Sequence, residues 1–225
     1  MNPHSLLHTL LAAAALALGS PAIVRAHSVW IEPDSTGTLV VRFAEPDGKL
    51  ERSPGHLDSL LLPNAWSAAG GSVLTNLLVV KKADHFALTP GDPESPALAE
   101  TAFVIMGTPG PNARRPLFYA RWHPVHAQGA RPMMTLDLVP GESPGTVRVC
   151  FRGKPLPGAR AILRTPDERE RELTADSEGV LHFGSGQPGW HLLTVARHRE
   201  PAGGFAGGRE YGITSHNASL SWIQK

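Results

Sequence analysis

The chain's architecture is easiest to predict from FRGKPLPGA, residues 151–159, where a turn rich in glycine and proline joins two β-type runs. Two further turns follow, TADSEG at 174–179 and QPGW at 187–190. Asp-x-x-Gly and Pro-Gly are sequences that close tight turns between neighbouring strands. Three such connections within about 50 residues, separated by apolar runs, predict a small antiparallel β-sandwich.

The rest of the chain repeats this pattern of short apolar runs and frequent turn residues. The sequence contains 23 glycines and 21 prolines, which favour many short strands over helices. One helical turn is predicted, at residues 96–101. The predicted strands are 38–43, 73–80, 102–106, 117–122, 134–138, 146–151, 159–164, 180–183, 190–196 and 218–223.

The first 26 residues have the features of a secretory leader. An apolar run over residues 10–18 is followed by small residues that end in Val24-Arg25-Ala26, which suits cleavage after Ala26. The run is too short to span a bilayer, which takes about 20 apolar residues, and no later stretch is long enough. We therefore expect export through the inner membrane to the periplasm, with no membrane span after processing.

The charge balance bears on the class of partner. Removal of the leader takes Arg25 with it and leaves 20 basic and 20 acidic residues. A nucleic-acid partner would normally require a basic excess, so none is expected. Cys150 is the single cysteine, which rules out an internal disulfide, and it is predicted to be a buried apolar residue.

Several motifs in combination resemble a known exported family. They are HSVWIEP at 27–33, DLVP at 137–140 together with the three turns above, GREY at 208–211 and HNASL at 216–220. With these motifs the chain is similar to the domain-of-unknown-function 4198 family, often described as the periplasmic component of cobalt/nickel transport systems. The resemblance implies export, divalent metal handling and two β-sandwich lobes.

The predicted fold is therefore all-β, with two β-sandwich lobes of the Ig-like or carboxypeptidase-regulatory-like kind after a cleaved signal peptide. Residues 140–145 are rich in glycine and proline and mark the boundary between the lobes. The predicted division is a signal peptide at 1–26, an N-terminal lobe at 27–140 and a C-terminal lobe at 141–225.

The new N-terminus is the first candidate metal ligand. Processing after Ala26 would place a free α-amine and an imidazole on one residue, His27. The amine and Nδ1 could chelate one divalent ion, and copper or nickel is the expected metal because both favour nitrogen ligands. One residue cannot complete the coordination, so a further ligand must come from elsewhere in the fold.

Two histidines in the second half are candidate partners for His27. His216 precedes the last predicted strand, and its position matches one where the resembled family often has histidine. His198 closes the preceding strand. No metal motif of fixed spacing groups these residues, so the fold would have to bring them together.

A His-Pro-Val-His element after the predicted strand 117–122 supplies two more candidates, His123 and His126. Residues three apart point to opposite faces of a strand, so both could bind one ion only if Pro124 interrupts the strand. His56 lies in a loop, and a solvated role is predicted for it.

The sequence leaves three functions open. The first is a periplasmic divalent metal-binding protein that acts as a metal chaperone or transport accessory, with an inner-membrane metal transporter as partner. The second is a metal-free β-sandwich interaction module. The third is a copper-dependent oxidase of the histidine-brace type. No Ser-His-Asp or paired-carboxylate arrangement is recognisable by spacing, so hydrolysis has no support, and a non-enzymatic role is the leading expectation.

Overall fold

The computed structural model describes residues 27–44, 48–70, 73–124, 129–184 and 186–225. The predicted leader at 1–26 and the candidate ligand His126 lie outside these residues. Within them the chain is almost entirely β-structure arranged in several sheets, so the predicted all-β, sandwich-type fold is confirmed. The helix found in these ranges is a short 3-10 helix, His56–Ser59, and no helix there could cross a membrane.

The strands are numbered along the chain. They are β1 (Ser28–Pro33), β2 (Leu39–Ala44), β3 (Asn64–Gly70), β4 (Val73–Asn76), β5 (Leu78–Lys81), β6 (Phe86–Thr89), β7 (Ala97–Ala102), β8 (Gly110–Trp122), β9 (Leu136–Pro140), β10 (Thr146–Phe151), β11 (Lys154–Pro155), β12 (Arg160–Arg164), β13 (Glu170–Thr174), β14 (Val180–His182), β15 (Gly189–Glu200), β16 (Gly204–Ala206) and β17 (Arg209–Gln224).

The largest sheet lies between the two smaller sheets and packs against both. Its strand order is β13-β12-β15-β17-β8-β7-β3-β4, and β16 pairs with β17 beside this path. The central strands β8 and β17 run parallel, whereas β15 pairs with β17 and β7 with β8 in antiparallel fashion. The boundary predicted at 140/141 falls between β9 and β10. Strands from both sides of that boundary belong to this one sheet.

A smaller sheet packs on each face of the large one. Along β8, Phe118 lies in the core beneath the β1-β2-β6-β5 sheet, whereas Tyr119 lies in the core shared with β9, β10 and β14. Along β17, the Ser219 hydroxyl reaches β1, whereas Ala218 and Leu220 face β9 and β10. Successive residues of a strand point to opposite faces, so neighbouring residues of β17 belong to separate cores.

Two sequence predictions around β7 are wrong. Residues 96–101, predicted as a helical turn, form most of β7, and residues 102–106, predicted as a strand, lie mostly beyond its end. β7 pairs with β3 on one side and β8 on the other, and its alanines are buried. These pairings outweigh the helix propensity of alanine, because an isolated helical turn has little stability of its own.

Candidate metal centre

The start of β1 is fixed by contacts that hold it against the large sheet. The alternate residues Val29 and Ile31 are buried in the core below it. On β17, the Ser219 hydroxyl donates to the Val29 carbonyl at 2.7 Å, and the Ser221 hydroxyl donates to the Ile31 carbonyl. These contacts place His27, the residue just before β1, at a defined position above the sheet.

A loop after β2 carries two further polar side chains to the same place. The Glu51 amide in this loop donates to the Phe43 carbonyl at 2.9 Å. The fully buried side chain of Leu57 anchors the loop in the core. Gly55 has a φ of 147°, and a Cβ there would lie 2.9 Å from the Arg52 carbonyl oxygen. Only glycine therefore permits the turn that brings His56 back over Glu51.

His27, Glu51 and His56 form a three-membered cluster. His27 Nε2 lies 2.7 Å from Glu51 Oε1, and His56 Nδ1 lies 3.0 Å from the same oxygen. One ligand atom from each residue lies within 4.8 Å of those of the other two. The Glu51 side chain is 12% exposed, against 32% for His27 and 50% for His56, so the imidazoles form the outer side of the cluster.

Aromatic rings hold the two imidazoles in place. The His27 ring stacks on Phe43 with centroids 5.0 Å apart, and the His56 ring meets Phe103 edge-on at 5.4 Å. The two imidazoles meet edge-on at 5.1 Å. Stacked and edge-on rings have fewer orientations than solvated ones, so the cluster is partly preorganised.

Two opposing effects act on the Glu51 carboxyl. Its burial raises the pKa, whereas hydrogen bonds from His27 and His56 lower it, and the net pKa is below the ordinary value. The carboxylate is therefore ionised at neutral pH. The ionised form of Glu51 is the form that can bind a cation.

The donor set fits a divalent transition metal. Two imidazole nitrogens and one carboxylate oxygen suit zinc, copper, nickel or cobalt, and three protein ligands leave coordination positions open. Ligands at bond lengths of about 2.0–2.2 Å lie about 3–3.5 Å from one another around a tetrahedral ion. Metal binding would therefore require the three ligand atoms to adopt these separations and the two nitrogens that donate to Glu51 to lose those protons, by deprotonation or by a change of tautomer.

The ring orientation of His27 bears on the predicted amine chelate. Nε2 is the nitrogen that faces Glu51. A chelate formed by an α-amine uses Nδ1, and in that mode Nε2 would still donate to Glu51, which would orient the ring and would not itself be a ligand. As the ring stands, the cluster uses the His27 side chain and does not involve the amine.

The structure does not bring His216 to His27. The His216 ring lies on the opposite face of the large sheet, stacked on Tyr119 at 5.8 Å and edge-on to Phe151 at 5.2 Å. Both of its nitrogens are engaged. Nδ1 accepts from the Tyr119 hydroxyl at 2.9 Å, and Nε2 donates to Glu200 Oε2 at 2.7 Å. Metal binding at His216 would have to break this buried network.

The two remaining candidates among the described residues, His198 and His123, also lie apart from His27. His198 packs on Phe151 with centroids 4.4 Å apart and lies 6.2 Å from the His216 ring, on that same opposite face. His123 is buried at the end of β8, where its amide donates to the Ser221 carbonyl. Phe118 lies in the core beneath β1, on the side of His27. His123 is five residues beyond Phe118, or roughly 17 Å along an extended strand, and is therefore distant from His27.

Glu51 and His56 were missed by sequence reasoning. Glu51 was not considered as a ligand, and His56 was predicted to be solvated. The available signal was the Pro-Gly pair between them, which predicts a turn and therefore proximity. Nothing local indicates that the turn lies beside residue 27, because that position depends on the burial of Leu57 and the pairing of β1 with β2.

The buried His216 predicts a pH-dependent stability. Burial lowers its pKa, and this outweighs the Glu200 hydrogen bond and charge, which raise it. Below the unfolded-state pKa of about 6.5 the unfolded chain binds a proton that the folded chain does not, so stability falls as pH falls. Urea unfolding between about pH 7.5 and 5.5 should show this decline, and it should be smaller in His216→Gln. An equal decline in both proteins would contradict the assignment.

The comparisons with protein-family models and with curated proteins supply no relative. No protein-family model matches the chain, and no curated protein matches it. The similarity to the domain-of-unknown-function 4198 family therefore stays a prediction from the motifs quoted above, and the function must be argued from the site.

Proposed function

We propose that this protein binds a divalent transition-metal ion through His27 Nε2, Glu51 Oε1 and His56 Nδ1. The observation that carries the proposal is the convergence of these three side chains, from β1 and a separate loop, on one point. The carboxylate is ionised and partly buried, and the imidazoles are held by aromatic rings. Copper and nickel are the favoured ions, since divalent copper and nickel bind nitrogen-rich sites more tightly than cobalt.

The partial exposure of the cluster favours transfer over permanent retention. Structural metal sites are closed by four protein ligands, whereas three ligands and an exposed imidazole leave a route for exchange. An ion held in this way can pass to a partner whose ligands replace His56 first. We therefore propose a role as a metal chaperone or transport accessory, with the ion as cargo.

The cellular setting of this proposal comes from the sequence. The leader-like residues 1–26 support export to the periplasm, and the family resemblance supports an inner-membrane metal transporter as partner. The histidine site itself requires only that residue 27 be accessible at the start of β1.

The contribution of the α-amine is tested by comparing two forms of the protein. One begins at His27 and the other carries one additional residue before it. Because the proposed ligand is the His27 side chain, calorimetric titration with Ni(II) and Cu(II) should give similar affinities for both forms. A large loss of affinity on extension would instead assign the amine and Nδ1 as the ligands.

Proton competition supplies a second test of the metal site. Imidazole nitrogens must be deprotonated to bind, so Ni(II) affinity should fall as pH is lowered from neutral to about pH 5, with proton release on binding at the intermediate values. Repeating the titration in buffers of different ionisation enthalpy measures the protons released. Binding that releases no protons over this range would contradict imidazole ligation.

A further inference from the structure

A cavity of about 130 Å³ opens beside the His27 and His56 rings. Its floor is apolar and is formed by the rings of Phe43, Phe103 and Phe118. Its wall is different in character, because two arginines, Arg114 and Arg197, reach it from the large sheet. Neither arginine belongs to the proposed metal site, so the ligand of this cavity must be inferred separately.

Arg114 lines the cavity, and one of its guanidinium donors is buried and unsatisfied. Its Nε is buried and has no hydrogen-bond partner among the described residues, and its Nη2 contacts only the weak acceptor Met106 Sδ, at 3.2 Å. Burial lowers the pKa of Arg114, and the positive charges of Arg199 and Arg197 lower it further. In the described part of the chain, no carboxylate forms an ion pair with it. A guanidinium in this setting lacks the anion that normally accompanies it.

Arg197 is directed to the same cavity by an irregularity in β15. The pairing of β15 with β17 shifts register between Val195 and His198, and Arg197 has a φ of 62°. The Arg197 amide donates to Asn217 Oδ1 at 3.0 Å, which holds this uncommon conformation. Bulges of this kind change the direction of a side chain and occur next to functional sites.

Hydrogen bonds hold the Asn217 side chain in one orientation, and Asn217 in turn holds the Arg197 backbone. Its Nδ2 donates to the Leu117 carbonyl at 3.0 Å and the Ser215 carbonyl at 3.1 Å. The residue is 8% exposed and lines the cavity. A buried amide with all these partners keeps the bulge, and with it Arg197, in one position.

We propose that this cavity binds a small organic carboxylate with an apolar body, its carboxylate on Arg114 and Arg197 and its body on the three phenylalanine rings. A guanidinium pairs with a planar carboxylate through two parallel N–H···O bonds. The aromatic floor gives an apolar body a surface that an inorganic oxyanion would not use. The site does not rest on the proposed metal function, because both arginines are present without the ion.

The test uses benzoate as the probe and benzamide as its neutral isostere. Metal-free protein is titrated by calorimetry at about pH 8, above the ordinary pKa of a free imidazole. Benzoate should saturate the protein and benzamide should bind at least about tenfold more weakly, since a charge-assisted pair is lost. Arg114→Gln should weaken benzoate binding by about tenfold or more, and Arg197→Gln should also weaken it.

Arg115→Gln is the matched control. Arg115 is the next residue of β8, is half-buried like Arg114, and lies over the Tyr211 ring at 5.8 Å. It should bind benzoate as the unchanged protein does.

Four results would overturn the carboxylate site: no saturation by benzoate at about 10 mM, equal binding of benzamide, equal binding of inorganic phosphate, or unchanged affinity in both Arg114→Gln and Arg197→Gln. Circular dichroism of each variant establishes that it is folded. If Arg114→Gln fails to fold, Arg197→Gln alone decides the outcome.

Discussion

Replacement of His56 by alanine should weaken Ni(II) binding by more than about a hundredfold. Loss of a group that merely orients a metal ligand already costs about tenfold to a hundredfold in affinity, and His56 is proposed as a ligand itself. Without His56 the ion has only two protein ligands, His27 and Glu51. Water then occupies the other coordination positions, and the affinity for the ion falls. Isothermal titration of both proteins at neutral pH measures the difference.

The chain offers a closely matched control in His182. Its Nε2 lies 3.0 Å from the Asp176 carboxylate, and its side chain is 63% exposed, so it forms a histidine–carboxylate pair like that of His56 and Glu51. The pair differs in having no second imidazole beside it among the described residues. His182→Ala should bind Ni(II) as the unchanged protein does. Equal losses in both variants would place the metal outside the His27 cluster.

Replacement of Arg121 by leucine should lower the free energy of unfolding by about 3–5 kcal/mol, the cost of breaking a buried ion pair. Arg121 is 2% exposed, Asp137 is fully buried, and two of their contacts are 3.0 and 2.6 Å. Among the residues that the structure describes, the variant leaves the Asp137 carboxylate with the amides of Met133 and Met134 as partners. Urea unfolding measures the loss.

An exposed pair provides the reference for this change. Arg160 lies 3.0 Å from Glu172, and both side chains are about half exposed or more, at 61% and 49%. Arg160→Leu should change the stability by less than about 1 kcal/mol, since exposed pairs are screened by water. The double variant of Arg121→Met with Asp137→Leu should recover most of the stability lost by Arg121→Leu. Similar losses from the Arg121 and Arg160 variants would contradict the burial argument.

Much of the second half of the fold could be predicted because its signals are local. β10 has the predicted bounds 146–151, and β12 and β14 lie within one residue of theirs. Turn residues close these hairpins, so short-range chemistry decides where the strands end. Cys150 is buried as predicted, and burial raises the pKa of its thiol.

The candidate site was only partly predictable because its parts meet through long-range contacts. The sequence predicts His27 as a ligand held by the first strand, and it predicts partners at His216, His198, His123 and His126, whereas the structure places Glu51 and His56 beside His27. The period of two along β17 decides against His216, since Ser219 faces β1 and residues an odd number of positions away face the other core. That face assignment requires knowing which strands are neighbours, and β8 and β17 pair across about a hundred residues.

We propose that one divalent ion binds between His27, Glu51 and His56. The most direct measurement is a crystal structure of the Ni(II)-loaded protein with anomalous diffraction at the nickel edge. The expected result is a nickel peak about 2.0–2.2 Å from His27 Nε2, Glu51 Oε1 and His56 Nδ1, typical bond lengths for imidazole and carboxylate ligands. A peak at His216 and His198 with none at the His27 cluster would contradict the claim.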